Sequence, residues 1–356
     1  PLRMHRSDPF NKRPPLWLYH EMEPHEWKRP EYYNLCLETV QKHCGRRFRV
    51  IPLTRYTIYS YIPNFRKDLW HTCTARQRTD LVKWELLARY GGLFLDQDVL
   101  VLRDLSPYMD ELVDHDFVAF GKSAATVANA PAVATAPTIS IGASSGGQND
   151  PRVVVVVPDD TTQYGDDGTG AKAFVLPLTW AMASRPHGRL VSLARERCYW
   201  LLDNQRQRLL SEPQLLGRPM LAECIQRLAL SAPTTPLPHR WAYFHVSTRC
   251  SQCDSHDRAY TTDRFMTNEP LGSECVRNMF LVPLGAQPAA RDVFPQWFVS
   301  AHREQLLGDG NTLVSKLWRW SLLGILPYDT KTETNPGFDT MPTVSGPRFY
   351  ASGWAS

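Results

Sequence analysis

The stretch ARYGGLFLDQDVLVLRDL, residues 88 to 105, places two carboxylates inside an apolar run. Gly91 and Gly92 open the run, and a glycine pair after a helical pattern predicts a helix end followed by a tight turn. The residues LFLDQDVLVL predict one buried strand. Because positions i and i+2 of a strand point to the same face, Asp96 and Asp98 are expected side by side. Two such charges need an ion-pair partner, a proton or a bound cation.

The segments before this strand follow the order of an α/β sheet. Residues 16–21 predict a buried strand, residues 29–45 a helix that stops at a glycine, and residues 47–53 a second strand. Residues 74–90 predict a helix with an apolar face. The later predictions are three strands, over residues 115–122, 151–160 and 239–246, and four helices, over residues 187–210, 219–230, 294–308 and 311–326.

Length and composition allow a large folded core and disfavour a nucleic-acid binder. The chain has 356 residues, 43% of them hydrophobic and 21% charged, with a formal net charge of +4. That mild positive charge is small for a protein that binds nucleic acid electrostatically, so no nucleic-acid partner is expected. No apolar run reaches the length of a membrane span, and a membrane anchor is expected only if a segment precedes Pro1.

The domain prediction is one α/β domain with flexible ends. Residues 1–15 are polar and proline-rich and predict a flexible segment, and residues 329–356 have the composition of a disordered tail. Residues 16–328 form the predicted domain. Within it, we expect a first half at 16–122, an inserted flap at 123–172 and a second half at 173–328.

The cysteines give one weak signal. Cys250 and Cys253 have the spacing of a zinc knuckle, with His256 and Cys275 beyond them. A local disulfide or two ordinary loop cysteines explain the same spacing, and both alternatives stay open.

Three interpretations fit Asp96 and Asp98. The first is structural, with the carboxylates capping a turn or pairing with Arg103 or Lys83. The second is a site for a divalent cation and a diphosphate, because Mn²⁺ and Mg²⁺ share oxygen ligands between carboxylates and phosphates. The third is a phosphatase of the haloacid-dehalogenase type, in which the first Asp is a nucleophile. That family prefers Thr where this chain has Leu100, and its motif normally opens the domain.

The helix before the strand favours the second interpretation. The segment TARQRTDLVKWELLARYGGLFLDQDV, residues 74–99, resembles a motif of glycosyltransferases that carry Asp-x-Asp. The pattern is a Ser/Thr-Asp, a basic residue, a hydrophobic helix, Gly-Gly, an aromatic strand and Asp-x-Asp. It is found in the capsular polysaccharide synthesis family and in glycosyltransferase family 32. Residues up to about 120 are similar to these families, and the remainder only loosely.

The resemblance implies a GT-A fold, a Rossmann-like sheet flanked by helices, here with a helical C-terminal part. It makes residues 16–122 the nucleotide-sugar-binding half and residues 173–328 the acceptor-side half. It also implies a role for each motif residue. Asp98 is expected to bind Mn²⁺ or Mg²⁺ directly, Asp96 to bind the ribose or the metal through water, and Asp80 to accept hydrogen bonds from donor-sugar hydroxyls. For Asp80 the alternatives are a helix N-cap or a partner for Arg78. The resemblance assigns no catalytic nucleophile.

Four further residues depart from the family or rest on weaker similarity. Lys83 stands where relatives usually have Arg, and Phe94 where they often have Tyr. Lys83 is expected to contact the donor, although a point charge cannot replace the planar fork of Arg. Trp17 is a candidate for stacking on the nucleotide base, with a core aromatic as the alternative. His245 is a candidate metal ligand, with an ordinary core or surface histidine as the alternative.

The sequence therefore predicts an enzyme, a metal-dependent glycosyltransferase. It would move a hexosyl unit from a UDP- or GDP-sugar to a glycan or other hydroxyl acceptor, with retention, as most relatives do. The rivals are the phosphatase and a degenerate glycosyltransferase-like domain that binds without turnover. Relatives work either in the Golgi lumen behind an N-terminal anchor or in the cytoplasm, and both compartments fit this sequence.

Overall fold

A computed structural model describes residues 13–21, 29–113, 115–123, 175–230, 243–246, 265–266, 281–284, 294–308 and 312–324. The predicted flap falls almost entirely outside these ranges, as do the N-terminal segment up to residue 12, the tail and the Cys250–Cys253 pair.

The strands of the described part form two sheets. The larger is six-stranded, in the order β2-β1-β3-β6-β5-β7, and the smaller pairs β4 with β8. The strands are β1 (Pro15–His20), β2 (Arg49–Thr54), β3 (Gly92–Leu95), β4 (Val99–Val101), β5 (Phe117–Ser123), β6 (Val175–Ser184), β7 (Tyr243–Val246) and β8 (Leu281–Pro283).

The first three strands make the parallel part of the large sheet. Strand β1 lies between β2 and β3 and is parallel to both. Strand β6 then runs antiparallel to β3 and to β5, and β5 is parallel to β7. The predicted opening of strand, helix and strand is therefore confirmed.

Helices cover both faces of the large sheet. They are α1 (Glu31–Cys44), α2 (Leu69–Thr72), α3 (Ala75–Tyr90), α4 (Ser106–Asp110), α5 (Arg189–Asn204), α6 (Arg206–Ser211), α7 (Arg218–Leu230), α8 (Gln296–Ser300), α9 (Arg303–Gly308) and α10 (Leu313–Leu323). Short 3₁₀ turns occupy Ile58–Ser60 and Glu111–Val113. The predicted α/β class is confirmed as a mixed sheet flanked by helices with a helical C-terminal part. In the described ranges, none of these helices is long and apolar enough to cross a membrane.

Alternating side chains on the strands divide the core. Trp17 and Phe94 point to the face covered by α3, α5 and α7, whereas Leu16 and Leu95 point to the face covered by α1. This alternation follows from the two-residue period of a strand. Besides the hydrophobic clusters on the two faces of the large sheet, a third hydrophobic cluster lies on the far side of α1, where α8, α9 and α10 pack beside β8.

The glycine pair after α3 is required by local geometry. Gly91 and Gly92 have φ values of 63° and 90°, a region that L side chains rarely adopt. A Cβ on Gly92 would also lie 2.2 Å from the Pro15 carbonyl oxygen. The turn therefore brings β3 against β1 directly after α3, which fixes the distance between the helix and the carboxylates that follow the strand.

Candidate active site

Polar side chains gather where the parallel strands end. The carboxyl ends of β1, β2 and β3 lie on one edge because the strands are parallel. Asp96 directly follows β3, and its N–H donates to the Trp180 carbonyl oxygen of β6 at 2.8 Å. His20, the last residue of β1, contacts the side chain of Gln97. In open α/β sheets this edge is where ligands bind.

The prediction that Asp96 and Asp98 share one face of a continuous strand is wrong. The chain leaves the large sheet after Leu95 and turns, with the Val99 N–H donating to the Asp96 carbonyl oxygen at 3.2 Å. Strand β4 then pairs with β8 in the second sheet. A turn does not keep the two-residue alternation of a strand, so the sequence spacing no longer places the two side chains on one face.

The surroundings of the two carboxylates differ accordingly. Asp96 pairs with Lys83 of α3, whereas Asp98 lies close enough to α1 to raise the pKa of Tyr32 and of Cys36, in addition to the larger effect of burial. The Asp98 carbonyl oxygen accepts the Leu284 N–H at 3.0 Å, which ties this turn to the end of β8. One carboxylate therefore faces α3 and the other is on the α1 side.

Lys83 is the centre of a buried ionic cluster. Its Nζ lies 3.1 Å from Asp96 Oδ1 and 3.4 Å from Asp80 Oδ1, and it donates to the Thr179 carbonyl oxygen at 2.7 Å. The same Nζ is 5.3 Å from the centre of the Phe94 ring. The two departures from the family pattern, Lys83 and Phe94, therefore contact each other. The ion pair with Lys83, offered above as the structural alternative for Asp96, is present.

One ammonium serves two carboxylates in this cluster. Burial alone would lower the pKa of Lys83, but Asp96 and Asp80 outweigh that effect, and the pKa is raised. Burial raises the pKa of Asp80 as well, because attraction to Lys83 and Arg76 does not offset the lost hydration. The cluster is thus short of positive charge, and its carboxylates favour an added cation or hydrogen-bond donor.

Asp80 is 4% exposed and projects from the middle of α3. Neither structural alternative describes it, because Thr74 is the N-cap of α3 and Arg78 pairs with Glu21. Its second carboxylate oxygen, Oδ2, has no hydrogen-bond partner in the described residues. An unsatisfied buried acceptor costs about 1–3 kcal/mol, so this oxygen favours a ligand hydroxyl.

A second buried ion pair was not anticipated from the sequence. Glu21 follows β1 as Asp96 follows β3, and its Oε1 lies 2.7 Å from Arg78 Nη2. Tyr19 donates to Glu21 Oε2 at 2.5 Å, and burial, followed by Glu21, raises the pKa of that phenol. A carboxylate directly after a buried strand was the available signal. The pair fixes the end of β1 to α3, two residues before Asp80.

A cleft opens at the same edge, between β1, β2 and α1. Its lining includes Tyr19, His20, Tyr33, Leu53 and Gln97. Tyr19, His20 and Tyr33 are each at most 5% exposed, so their rings line the cleft without an open face. The cleft lies next to the Asp96–Asp98 turn because Gln97 belongs to both.

Two of the predicted site residues, Trp17 and His245, are not part of the Asp80–Lys83–Asp96 cluster. Trp17 has no exposed surface, and its Nε1 donates to the Gly91 carbonyl oxygen at 2.8 Å. The alternative of a core aromatic describes it, since an enclosed ring has no face for a nucleotide base. His245 is on β7, paired with Phe120, and its side chain lies outside the described residues.

A metal site made of protein side chains alone is absent from the described ranges, where three or more His, Cys, Asp or Glu residues never gather as a metal would need. A site completed by substrate still fits, because Mg²⁺ is commonly held by one or two carboxylates together with substrate phosphates.

Comparison with known protein families indicates the same class of protein as the sequence does. Residues 26–198 match the family of capsular polysaccharide synthesis proteins. The matched range contains Asp80, Lys83, Asp96 and Asp98 and leaves out Trp17 and His245. Over the matched residues the resemblance predicted from residues 74–99 is confirmed, and the match supports the predicted enzyme class, a glycosyltransferase of polysaccharide synthesis. A search of curated proteins gave no significant match.

Two solved structures are similar at low identity. One is a glycosyltransferase involved in the glycosylation of the major capsid of PBCV-1, with 12% identity, a TM-score of 0.34, and coverage of 79% of this chain and 97% of that chain. The other is the apo structure of the bifunctional glycosyltransferase WbbM, with 10% identity, a TM-score of 0.36, and coverage of 86% and 53%. These TM-scores are too low for either likeness to support a function.

Proposed function

We propose that this protein is a metal-dependent glycosyltransferase that moves a hexosyl unit from a UDP- or GDP-sugar to a glycan or other hydroxyl acceptor, with retention. The observation that carries the proposal is the Asp80–Lys83–Asp96 cluster at the edge where β1 and β3 end. It unites three polar residues of the motif, Asp80, Lys83 and Asp96, at an edge of the kind where α/β sheets bind nucleotides.

The turn after β3 would hold the cation. Asp98 would be a direct ligand, and Asp96 would act through water or on the ribose, with the donor diphosphate completing the coordination. When bound, Mn²⁺ or Mg²⁺ supplies Lewis-acid stabilisation for the negative charge of the leaving diphosphate.

The protein's own groups orient the donor. Lys83 holds the Asp96 carboxylate in place and adds positive charge beside the diphosphate. Asp80 Oδ2, which lacks a partner among the described residues, would accept a hydrogen bond from a sugar hydroxyl.

The transfer needs no protein nucleophile. The bond between the anomeric carbon and the diphosphate oxygen breaks, and the acceptor oxygen forms the new bond to the same carbon. The acceptor's proton passes to the departing diphosphate.

A thermal-shift panel tests the proposal. It uses UDP, GDP, UDP-glucose, UDP-galactose, UDP-GlcNAc and GDP-mannose, each with and without Mn²⁺. A ligand at about 100 times its Kd stabilises the native state by about 2.7 kcal/mol, which raises Tm by several degrees. We expect such a shift for wild type and for Asp110→Ala, a control that removes an exposed carboxylate, and its loss in Asp98→Ala.

The other results separate the alternatives. A shift that persists in Asp98→Ala without Mn²⁺ would contradict metal dependence. No shift with any nucleotide would overturn the proposal, and stabilisation by vanadate or fluoroberyllate would then favour the phosphatase. Binding without donor consumption would favour the degenerate domain.

A further inference from the structure

A glycine from the second half of the chain packs directly against the Asp80 carboxylate. Gly217 is buried in the turn between α6 and α7. A Cβ at this position would lie 2.8 Å from Asp80 Oδ2, 3.3 Å from Cγ and 3.4 Å from Oδ1. Real Cβ atoms essentially never come as close as the first of these distances, so any side chain here must displace the carboxylate.

The backbone does not require glycine at this position. Gly217 is not among the described residues with positive φ, which include Gly91, Gly92 and Gly324. An L side chain is therefore compatible with its conformation. Glycine is needed at position 217 because the Asp80 carboxylate occupies the space that a side chain would fill.

Hydrogen bonds to α3 hold the turn in place. Trp84, one helical turn after Asp80, donates from Nε1 to the Leu216 carbonyl oxygen at 2.9 Å. Gln77, near the start of α3, donates from Nε2 to the Leu209 carbonyl oxygen at 2.7 Å. Residues i and i+4 share a helix face, so Asp80 and Trp84 meet the same turn. The turn cannot move away from the carboxylate without breaking a buried hydrogen bond.

We propose that Gly217 is a positioning residue for the donor sugar, keeping the Asp80 carboxylate beside Lys83 with Oδ2 set for a sugar hydroxyl. The inference rests on the proposed function. It assigns part of the donor site to a turn outside the matched range 26–198, in the half that the sequence analysis gave to the acceptor.

The test is a double-mutant cycle with two ligands. Wild type, Asp80→Ala, Gly217→Ala and the double variant are titrated by calorimetry, in Mn²⁺, with the nucleotide sugar that gives the largest melting shift and with its nucleoside diphosphate. Because Asp80 would contact only the sugar, we expect Gly217→Ala to weaken nucleotide-sugar binding about tenfold and diphosphate binding less than about twofold. In the Asp80→Ala background the methyl group enters vacated space, so no further loss is expected.

Gly308→Ala is the matched control, because no atom of the described residues lies within 4 Å of the Cβ position of Gly308. It should bind both ligands as wild type does. Should Gly217→Ala fail to fold, a folded double variant that binds like Asp80→Ala supports the proposal, whereas failure of both overturns it.

Other outcomes overturn the inference in distinguishable ways. Unchanged nucleotide-sugar binding in Gly217→Ala, or equal weakening of both ligands, contradicts the positioning role alone. An equal loss in the Asp80→Ala background shows that Gly217 acts through something other than Asp80. If wild type binds no nucleotide, the proposed function fails and the inference fails with it.

Discussion

The positive charge of Lys83 stabilises two carboxylates in the site, those of Asp80 and Asp96. Lys83 is 2% exposed and lies between them, so a shorter side chain would leave both carboxylates without their buried partner. Arg at this position would offer a planar fork, whereas the lysine ammonium donates to a carbonyl and faces a phenyl ring. Phe94 suits this arrangement because an aromatic face attracts a cation.

Removing the charge of Lys83 should therefore be costly. We expect Lys83→Met, which keeps most of the volume, to lower the free energy of unfolding by about 3–5 kcal/mol, because it leaves buried charge without its partner. Lys67→Met, at an exposed lysine, should stay within about 0.5 kcal/mol. Urea unfolding followed by tryptophan fluorescence measures both. A loss below about 1 kcal/mol in Lys83→Met would contradict an obligatory ion cluster.

The sequence predicts a site residue when its partners lie close to it along the chain. Asp80, Lys83 and Asp96 were found because helix, glycine turn and strand fix their distances within one continuous segment. Glu21 and Gly217 were not, because their partners are distant in sequence: Arg78 for Glu21 and Asp80 for Gly217. Trp17 was ambiguous because a buried aromatic strand residue looks the same in a core and in a base-stacking site.

Elements were predicted best where one segment contains its own start and stop signals. Helix α3 begins at Thr74, whose side chain accepts from the Gln77 N–H while Gln77 reaches back, and it ends at Gly91. The sequence predicts a single strand where the structure has β3 and β4. The apolar run is broken only by Asp-Gln-Asp, which contains no Gly or Pro to indicate a turn. Pairing of β4 with β8, far along the chain, decides the break.

The contact of α1 with α10 brings a histidine into a positively charged setting. His43 Nε2 lies 3.0 Å from Ser321 Oγ. Burial lowers the pKa of His43 to about 4, with Lys42 and Arg103 acting in the same direction and Asp104 and the bond to Ser321 opposing them. Lys42 also donates to the Leu322 carbonyl oxygen at 3.0 Å, near the end of α10.

This contact should make stability depend on pH. Between about pH 6.5 and about pH 4 the unfolded chain holds a proton on His43 that the native state does not, so stability falls as the pH falls. His43→Gln should reduce this loss, and His302→Gln, at an exposed histidine, should not. Urea midpoints at about pH 7 and about pH 5 provide the comparison. Equal pH dependence in wild type and His43→Gln would contradict the assignment.

On the scale of the whole molecule, the C-terminal helices support the turn that carries Asp98. Ser321 of α10 donates to the Val101 carbonyl oxygen of β4 at 2.8 Å, and α1 packs on both β4 and α10. The sequence predicted two closing helices, but the first is divided into α8 and α9 by the extended conformation of Ala301. Their packing on α1 is a long-range contact that no local pattern encodes.

Trp318 tests this support. It is fully buried on α10, and its ring stacks on Phe298 with centroids 5.9 Å apart. We expect Trp318→Ala to lower the free energy of unfolding by about 3–5 kcal/mol through the cavity it leaves. The Mn²⁺-dependent melting shift with nucleotide sugar should shrink too, because β4 and α1 flank Asp98. Trp200→Ala, at a tryptophan that is 44% exposed, should keep the shift and lose less than about 1 kcal/mol. If Trp318→Ala is destabilised but keeps the full shift, the C-terminal helices stabilise the fold without holding the site.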